Sequence, residues 1–166
     1  MRHLYLLRHA KSSWKDESLA DFERPLAGRG RRACDLIGKF ITTNEIEFDL
    51  AISSTAVRAR DTIDLIKQRA RVKSEVRYDE RIYEASVTRL LEVIAQIEND
   101  KKSVMLVGHN PGFEELLQSL TGAEETFPTA ALAKINLKIS KWSEPLTGKS
   151  TLEWIVRPKE LDGESG

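Results

Sequence analysis

The run Val104-Met105-Leu106-Val107 carries no polar residue on either face. Side chains alternate between the two faces of a strand, so a run that is apolar throughout has to be covered on both. Helices above and below a mostly parallel sheet provide such cover, because the crossovers between parallel strands lie on the sheet faces. The rest of the chain supplies the parts. Leu4-Tyr5-Leu6-Leu7 and Phe48 to Ile52 read as further strands, and Val76 opens a weaker one. Ala33, Leu36, Ile37, Phe40 and Ile41 recur at helical spacing between about Gly30 and Thr43. Val57, Ile63 and Ile66 mark a second helix after the cap signal Ser53-Ser54-Thr55. A third carries Val87, Leu90, Leu91, Ile94 and Ile97, and a fourth, from near Pro111, carries Phe113, Leu116, Leu117 and Leu120.

The last third of the chain changes period. Ile135, Leu137 and Ile139, then Leu152, Trp154 and Val156, alternate with more polar residues around a connection holding Pro145 and Gly148, which predicts an antiparallel edge hairpin. The expected fold class is α/β: a three-layer α/β/α sandwich on a mostly parallel sheet. One domain is expected over residues 1–158, followed by a polar, frayed tail over 159–166.

A chain of 166 residues is long enough for one substantial core and short for two. Lys plus Arg equals Asp plus Glu at 26 each, so the balance favours neither nucleic acid nor an acidic membrane as partner, and any basic function has to be local. The single cysteine, Cys34, excludes an intramolecular disulfide and reads as a small buried hydrophobe beside Ala33, Leu36 and Ile37. The first apolar run is shorter than a signal peptide needs and no stretch is long enough for a bilayer, so a cytoplasmic location is expected.

Three strand ends carry the chemistry. Leu7 is followed by Arg8 and His9, and Val107 by Gly108, His109 and Asn110. After the second strand comes Ser54-Thr55-Ala56-Val57-Arg58-Ala59-Arg60-Asp61-Thr62, with Arg58 at a helix start. In open α/β sheets ligands bind beyond the carboxyl ends of the strands, helix N-termini favour anions, and arginine grips phosphate oxygens in a fork. Two histidines and two arginines at these ends point to a phosphate site. Strict alternation sends Arg8 and His9 to opposite faces, so the chain has to bend there for both to serve it. Arg60 faces elsewhere and reads as a surface residue. Between Lys11 and Gly30 lies a long polar connection, a length at which loops are often functional.

Leu-Arg-His near the N-terminus, Ser-x-x-x-Arg-Ala-x-x-Thr after the second strand and Gly-His after the later one resemble the histidine phosphatase superfamily, the phosphoglycerate mutase-like group. The short chain, and Arg24-Pro25-Leu26 within Asp21-Phe22-Glu23-Arg24-Pro25-Leu26, look most like its small SixA-type phosphohistidine phosphatases. The resemblance runs from Leu4 to about Ile139 and implies a phosphoglycerate mutase-like fold. It also implies a phosphorylated nucleophile at His9, with Arg8, Arg58 and His109 holding the phosphoryl oxygens. Arg24 either reaches the pocket edge or stays an exposed loop arginine anchored by Asp21 or Glu23. Ala10 stands where the wider family reads glycine, so the turn has to accommodate a Cβ. Ile82-Tyr83-Glu84 matches the start of a pattern that supplies a proton donor in larger relatives. Ala85-Ser86-Val87 does not continue it, so Glu84 is read either as a donor or as a solvent-facing carboxylate near a helix start.

The resemblance implies a metal-independent phosphatase without cofactor, acting on a phosphorylated protein or a small phosphate and releasing inorganic phosphate. A phosphate ester needs a proton for its leaving alkoxide, whereas a phosphoramidate leaves more readily, which ties the uncertain Glu84 to protein phosphohistidine as substrate. A small-molecule ester phosphatase or mutase of the same superfamily, and a non-catalytic phosphate-binding module, remain open. A metal hydrolase is disfavoured: His3 and His9 sit at opposite ends of one strand, roughly 13–20 Å apart.

Overall fold

A computed structural model describes residues 1–162. Six strands form one sheet: β1 (Arg2–Arg8), β2 (Leu50–Ser53), β3 (Glu75–Tyr78), β4 (Ser103–Gly108), β5 (Leu132–Leu137) and β6 (Ser150–Val156). Their order is β3-β2-β4-β1-β5-β6, with β1 to β4 mutually parallel, β5 antiparallel to β1, and β6 antiparallel to β5. The hairpin thus contributes one interior strand, β5, and one edge strand, β6. Four helices, α1 (Gly28–Thr43), α2 (Val57–Ala70), α3 (Val87–Ala95) and α4 (Gly112–Thr121), cover the two faces.

Strand alternation divides the core. Leu4, Leu6, Leu50, Val104 and Leu106 point into one cluster with Leu90, Val93, Phe113 and Leu117 from α3 and α4. Tyr5, Leu7, Ala51, Met105 and Val107 point into the other with Cys34, Ile37, Ile63 and Ile66 from α1 and α2. The result is the three-layer α/β/α sandwich, and β4 is as enclosed as its composition demands, with Val104 through Val107 all at 0% exposure.

Three expectations change. Lys159 to Asp162 is not a frayed tail: Pro158–Asp162 form a short helix, α5, against α1, tied by an Arg32–Asp162 ion pair of 2.9 Å. Gly163 to Gly166 lie outside the described residues. The Ser53-Ser54-Thr55 signal does not supply the cap of α2, whose N-cap is Ala56 without a side-chain bond; the Ser54 hydroxyl is committed elsewhere. The connection after β1 is not structureless, since it holds a Ser12–Leu26 bridge and a 3-10 turn at Asp21–Glu23. Among the described residues no helix is long and apolar enough to cross a membrane.

Candidate active site

The parallel strands β1, β2 and β4 end at one edge of the sheet. Register aligns the ends: Arg8 lies opposite Gly108, and Ser53 opposite Val107. The next residues, His9, Ser54 and His109, therefore leave the sheet side by side, and the His9 and His109 rings sit 5.1 Å apart between centroids. Gly108, between these strand ends, packs directly under Ile82 and Phe113: a Cβ there would lie 2.8 Å from the side chains of both.

The chain bends at His9 because successive peptides are held by different elements. His9 N–H donates to the Gly108 carbonyl (2.9 Å), and the carbonyls of Arg8 and His9 share the Ala130 N–H (3.0 Å each). Ala10 N–H donates to Thr62 Oγ1 at 2.9 Å. Ala10 does not occupy the left-handed region, so the position tolerates its Cβ.

His9 Nδ1 lies 2.7 Å from the Ala10 carbonyl oxygen. A carbonyl only accepts, so Nδ1 carries the ring proton and Nε2 keeps a free lone pair. The residue is 7% exposed. Burial pushes its pKa down to about 4 against the Ala10 bond, with Arg58, Arg8 and Arg24 pushing the same way as burial. His9 is a neutral base at physiological pH.

His109 Nε2 lies 2.8 Å from Ser54 Oγ. Ser54 is fully buried, and among the described residues Nε2 is the only group near its hydroxyl that can accept a proton, the other partner being the Ala56 N–H, so its own proton is directed to Nε2. The His109 proton then sits on Nδ1, which is buried and has no partner in the protein. A donor so placed suits an oxygen that takes on charge during reaction. Burial, then His9 and Arg58, push the His109 pKa down to about 3.

The arginines surround these rings. Arg58 donates to the Asp21 backbone oxygen (2.8 Å) and to Asp21 Oδ2 (3.0 Å), and Arg24 donates to Asp21 Oδ1 (2.9 Å). Arg24 also binds the Ser13 carbonyl and Ser12 Oγ, and its guanidinium stacks under the Trp14 ring. It is anchored by Asp21 but buried, at 6% exposure, and its charge reaches His9. Arg8 donates to the Phe127 carbonyl at 2.9 Å, while its buried Nε has no partner. Two guanidiniums, those of Arg24 and Arg58, thus share one carboxylate, while Arg8 is held by a backbone carbonyl, in a chain whose net charge is zero. Asp21 stays ionised: the Tyr83 hydroxyl, donating at 2.7 Å, together with Arg58 and Arg24, holds its pKa at about 2.

Sequence reasoning passed over Asp21, Tyr83, Ser54 and Thr62 as working parts. Ser54 and Thr62 stand in the quoted motif, where their spacing to Arg58 was the available signal. Tyr83 packs edge-on against His109 with centroids 5.4 Å apart. Its neighbour Glu84 has φ 53°, is exposed, and makes no hydrogen bond or ion pair among the described residues. Cys34 is buried, its thiol pushed up to about 12 chiefly by burial, and inert. No group of three or more His, Cys, Asp or Glu able to hold a metal comes together among the described residues. His3, at the far end of β1, bonds Asn136.

Comparison with known proteins agrees with this geometry. Residues 4–90 match the model of the histidine phosphatase superfamily (branch 1). An uncharacterized protein of Mycobacterium tuberculosis is 32% identical over 164 residues, covering 92% of this chain and all of that one. A chloroplastic Arabidopsis thaliana protein is 29% identical, covering 95% of this chain and 78% of its own. The crystal structure of a putative phosphohistidine phosphatase SixA from Agrobacterium tumefaciens superposes with a TM-score of 0.81 at 29% identity, covering 95% of this chain and 98% of that one. The chain belongs to the histidine phosphatase superfamily, and within it is similar to the SixA-type proteins.

Proposed function

We propose that the protein is a phosphatase that works through a phosphohistidine on Nε2 of His9, with phosphohistidine borne on another protein as its substrate. The observation that carries the reading is the 2.7 Å bond from His9 Nδ1 to the Ala10 carbonyl. It leaves Nε2 unprotonated beside three guanidiniums, ready to attack phosphorus. The Nε2 lone pair forms the new N–P bond as the substrate's P–N bond breaks in line, and its electron pair goes to the departing imidazole. Water then attacks the phosphohistidine, giving inorganic phosphate and restoring neutral His9. Arg8, Arg58 and the Nδ1–H of His109 stabilise the equatorial oxygens, so catalysis is mostly positioning and electrostatics.

The substrate reading follows from proton supply. Asp21, the carboxyl group built into the arginine cluster, is ionised and holds no proton to give at neutral pH. An alkoxide leaving group requires one. A protonated phosphohistidine carries its own and departs as neutral imidazole. The test is a panel of phosphohistidine protein, phosphotyrosine peptide, aryl phosphate and sugar phosphates, run with His9→Ala and Glu84→Gln in excess chelator. Phosphohistidine is expected to turn over fastest, His9→Ala to lose every activity, and Glu84→Gln and chelator to change phosphohistidine cleavage little. Equal rates for wild type and His9→Ala remove the nucleophile. Selective loss of ester cleavage in Glu84→Gln assigns that residue as an acid for esters.

A further inference from the structure

Beside the phosphate site, a cleft of about 580 Å³ runs between the start of α1, the segment before β5 and α5. Five cations line it: Lys11, Arg29, Arg32, Arg157 and Lys159. Arg32 is paired with Asp162, and Arg157 with Glu125 and Glu160. Lys11, Arg29 and Lys159 are exposed and form no ion pair among the described residues. The floor is apolar and includes Leu36 and Pro128.

The cleft is joined to the catalytic end of β1 by covalent and hydrogen-bonded links. Lys11 is two residues beyond His9, a backbone distance of roughly 7 Å. Pro128 and Thr129 precede Ala130, whose N–H holds the carbonyls of Arg8 and His9, and follow Phe127, whose carbonyl holds Arg8. A molecule with its phosphoryl group on His9 therefore has its next few residues within reach of the cleft.

We infer that this cleft binds an acidic segment of the phosphorylated protein next to its phosphohistidine, and so selects the substrate. The inference rests on the phosphatase reading above. Sites for small anions converge a few enclosed polar groups on one point. Here the unpaired cations are exposed and spread over three segments of chain. Arg29 to Leu36 alone covers roughly 10 Å of helix. Spread surface charge over an apolar floor fits an extended, carboxylate-bearing partner, whose approach it steers in a salt-dependent way.

The experiment compares wild type with the double variant Arg29→Glu, Lys159→Glu. Neither residue belongs to the catalytic site, and a glutamate in the first turn of α1 suits the helix dipole better than arginine does. The substrates are a phosphohistidine peptide flanked by glutamates, the same peptide flanked by alanines, and an aryl phosphate. Binding of the unphosphorylated glutamate peptide is followed by fluorescence anisotropy. The variant is expected to lose about tenfold in kcat/KM on the glutamate peptide, mainly through KM, for two reversed surface charges. The alanine peptide and the aryl phosphate should change less than about twofold, and high salt should erase the difference between the proteins. Equal handling of the two peptides by wild type, or an equal loss on aryl phosphate, overturns the inference. So does displacement of the labelled peptide by pyrophosphate at matching concentration, which makes the cleft a small-anion site. A wild type that cleaves no phosphoryl substrate yet binds the acidic peptide, while the variant does not, removes the phosphatase reading and leaves the cleft standing.

Discussion

Thr62 links the fold to His9, the proposed nucleophile, and replacing it with valine isolates that link. Its side chain is fully buried, and Oγ1 accepts the Ala10 N–H at 2.9 Å while donating to the Arg58 carbonyl at 2.7 Å. Thr62→Val keeps the shape and deletes the oxygen, leaving the Ala10 N–H buried without an acceptor. Such an orphaned group costs about 1–3 kcal/mol, which at about 2–4 °C per kcal/mol for a chain of this size lowers Tm by several degrees. The same residue presents, on its following peptide, the carbonyl that sets the His9 tautomer. Loosening it weakens a bond worth about 1 kcal/mol, or roughly fivefold in the phosphorylation step. Thr62 does not face the substrate, so the loss belongs in kcat, with KM nearly unchanged. Thermal unfolding and steady-state kinetics on an aryl phosphate measure both effects, with Thr62→Ser, which retains the oxygen, as the restoring control. Wild-type Tm and kcat in Thr62→Val, or a Ser variant as impaired as the Val variant, refutes the reasoning.

Two further outcomes follow from the charges of the site, and one from its packing. The folded pKa values of His9 and His109, about 4 and about 3, lie below the ordinary 6.5, so the unfolded chain binds more protons between those limits. The stability they contribute is full above about 6.5 and is lost as pH falls through that window. Denaturant midpoints should decline from pH 7 to 4, and the acid limb of kcat/KM should fall near 4; a limb at 6.5 contradicts a buried neutral His9. Tyr83→Phe removes the main bond holding the Asp21 carboxyl at about 2, so its titration by carbon NMR should move up toward 3.8. Gly108→Ala forces a methyl against Ile82 and Phe113, an overpacking cost of about 1–3 kcal/mol readable by urea denaturation.

Much of the architecture was legible because it depends on local period. Apolar runs at Leu4–Leu7 and Val104–Val107 became the two central strands, and the helical spacing of Ala33 to Ile41 and Phe113 to Leu120 became α1 and α4. Element ends were less legible. Ser54 looks like a helix cap, yet its hydroxyl goes to His109, a partner that no local pattern names. Residues 159–162 look like tail because they are mostly polar, and only tertiary contacts, Leu161 against the core and Arg32 with Asp162, make them part of a docked helix.

The candidate site divides along the same line. Which side chains stand at which strand ends is written in the order of residues, because an apolar run must stop where polar groups begin, and His9, Arg58 and His109 follow such stops. Tertiary structure decided how those ends act together. Parallel register set Arg8 against Gly108 and brought the two imidazoles to 5.1 Å. The fold of the connection delivered Asp21 to both Arg24 and Arg58, and turned Arg24 from a loop cation into a buried one. The Ala10 carbonyl chose which nitrogen of His9 is free. Each of these rests on a hydrogen bond or a burial whose partners meet only when the chain is folded, and protonation state follows those partners rather than residue type.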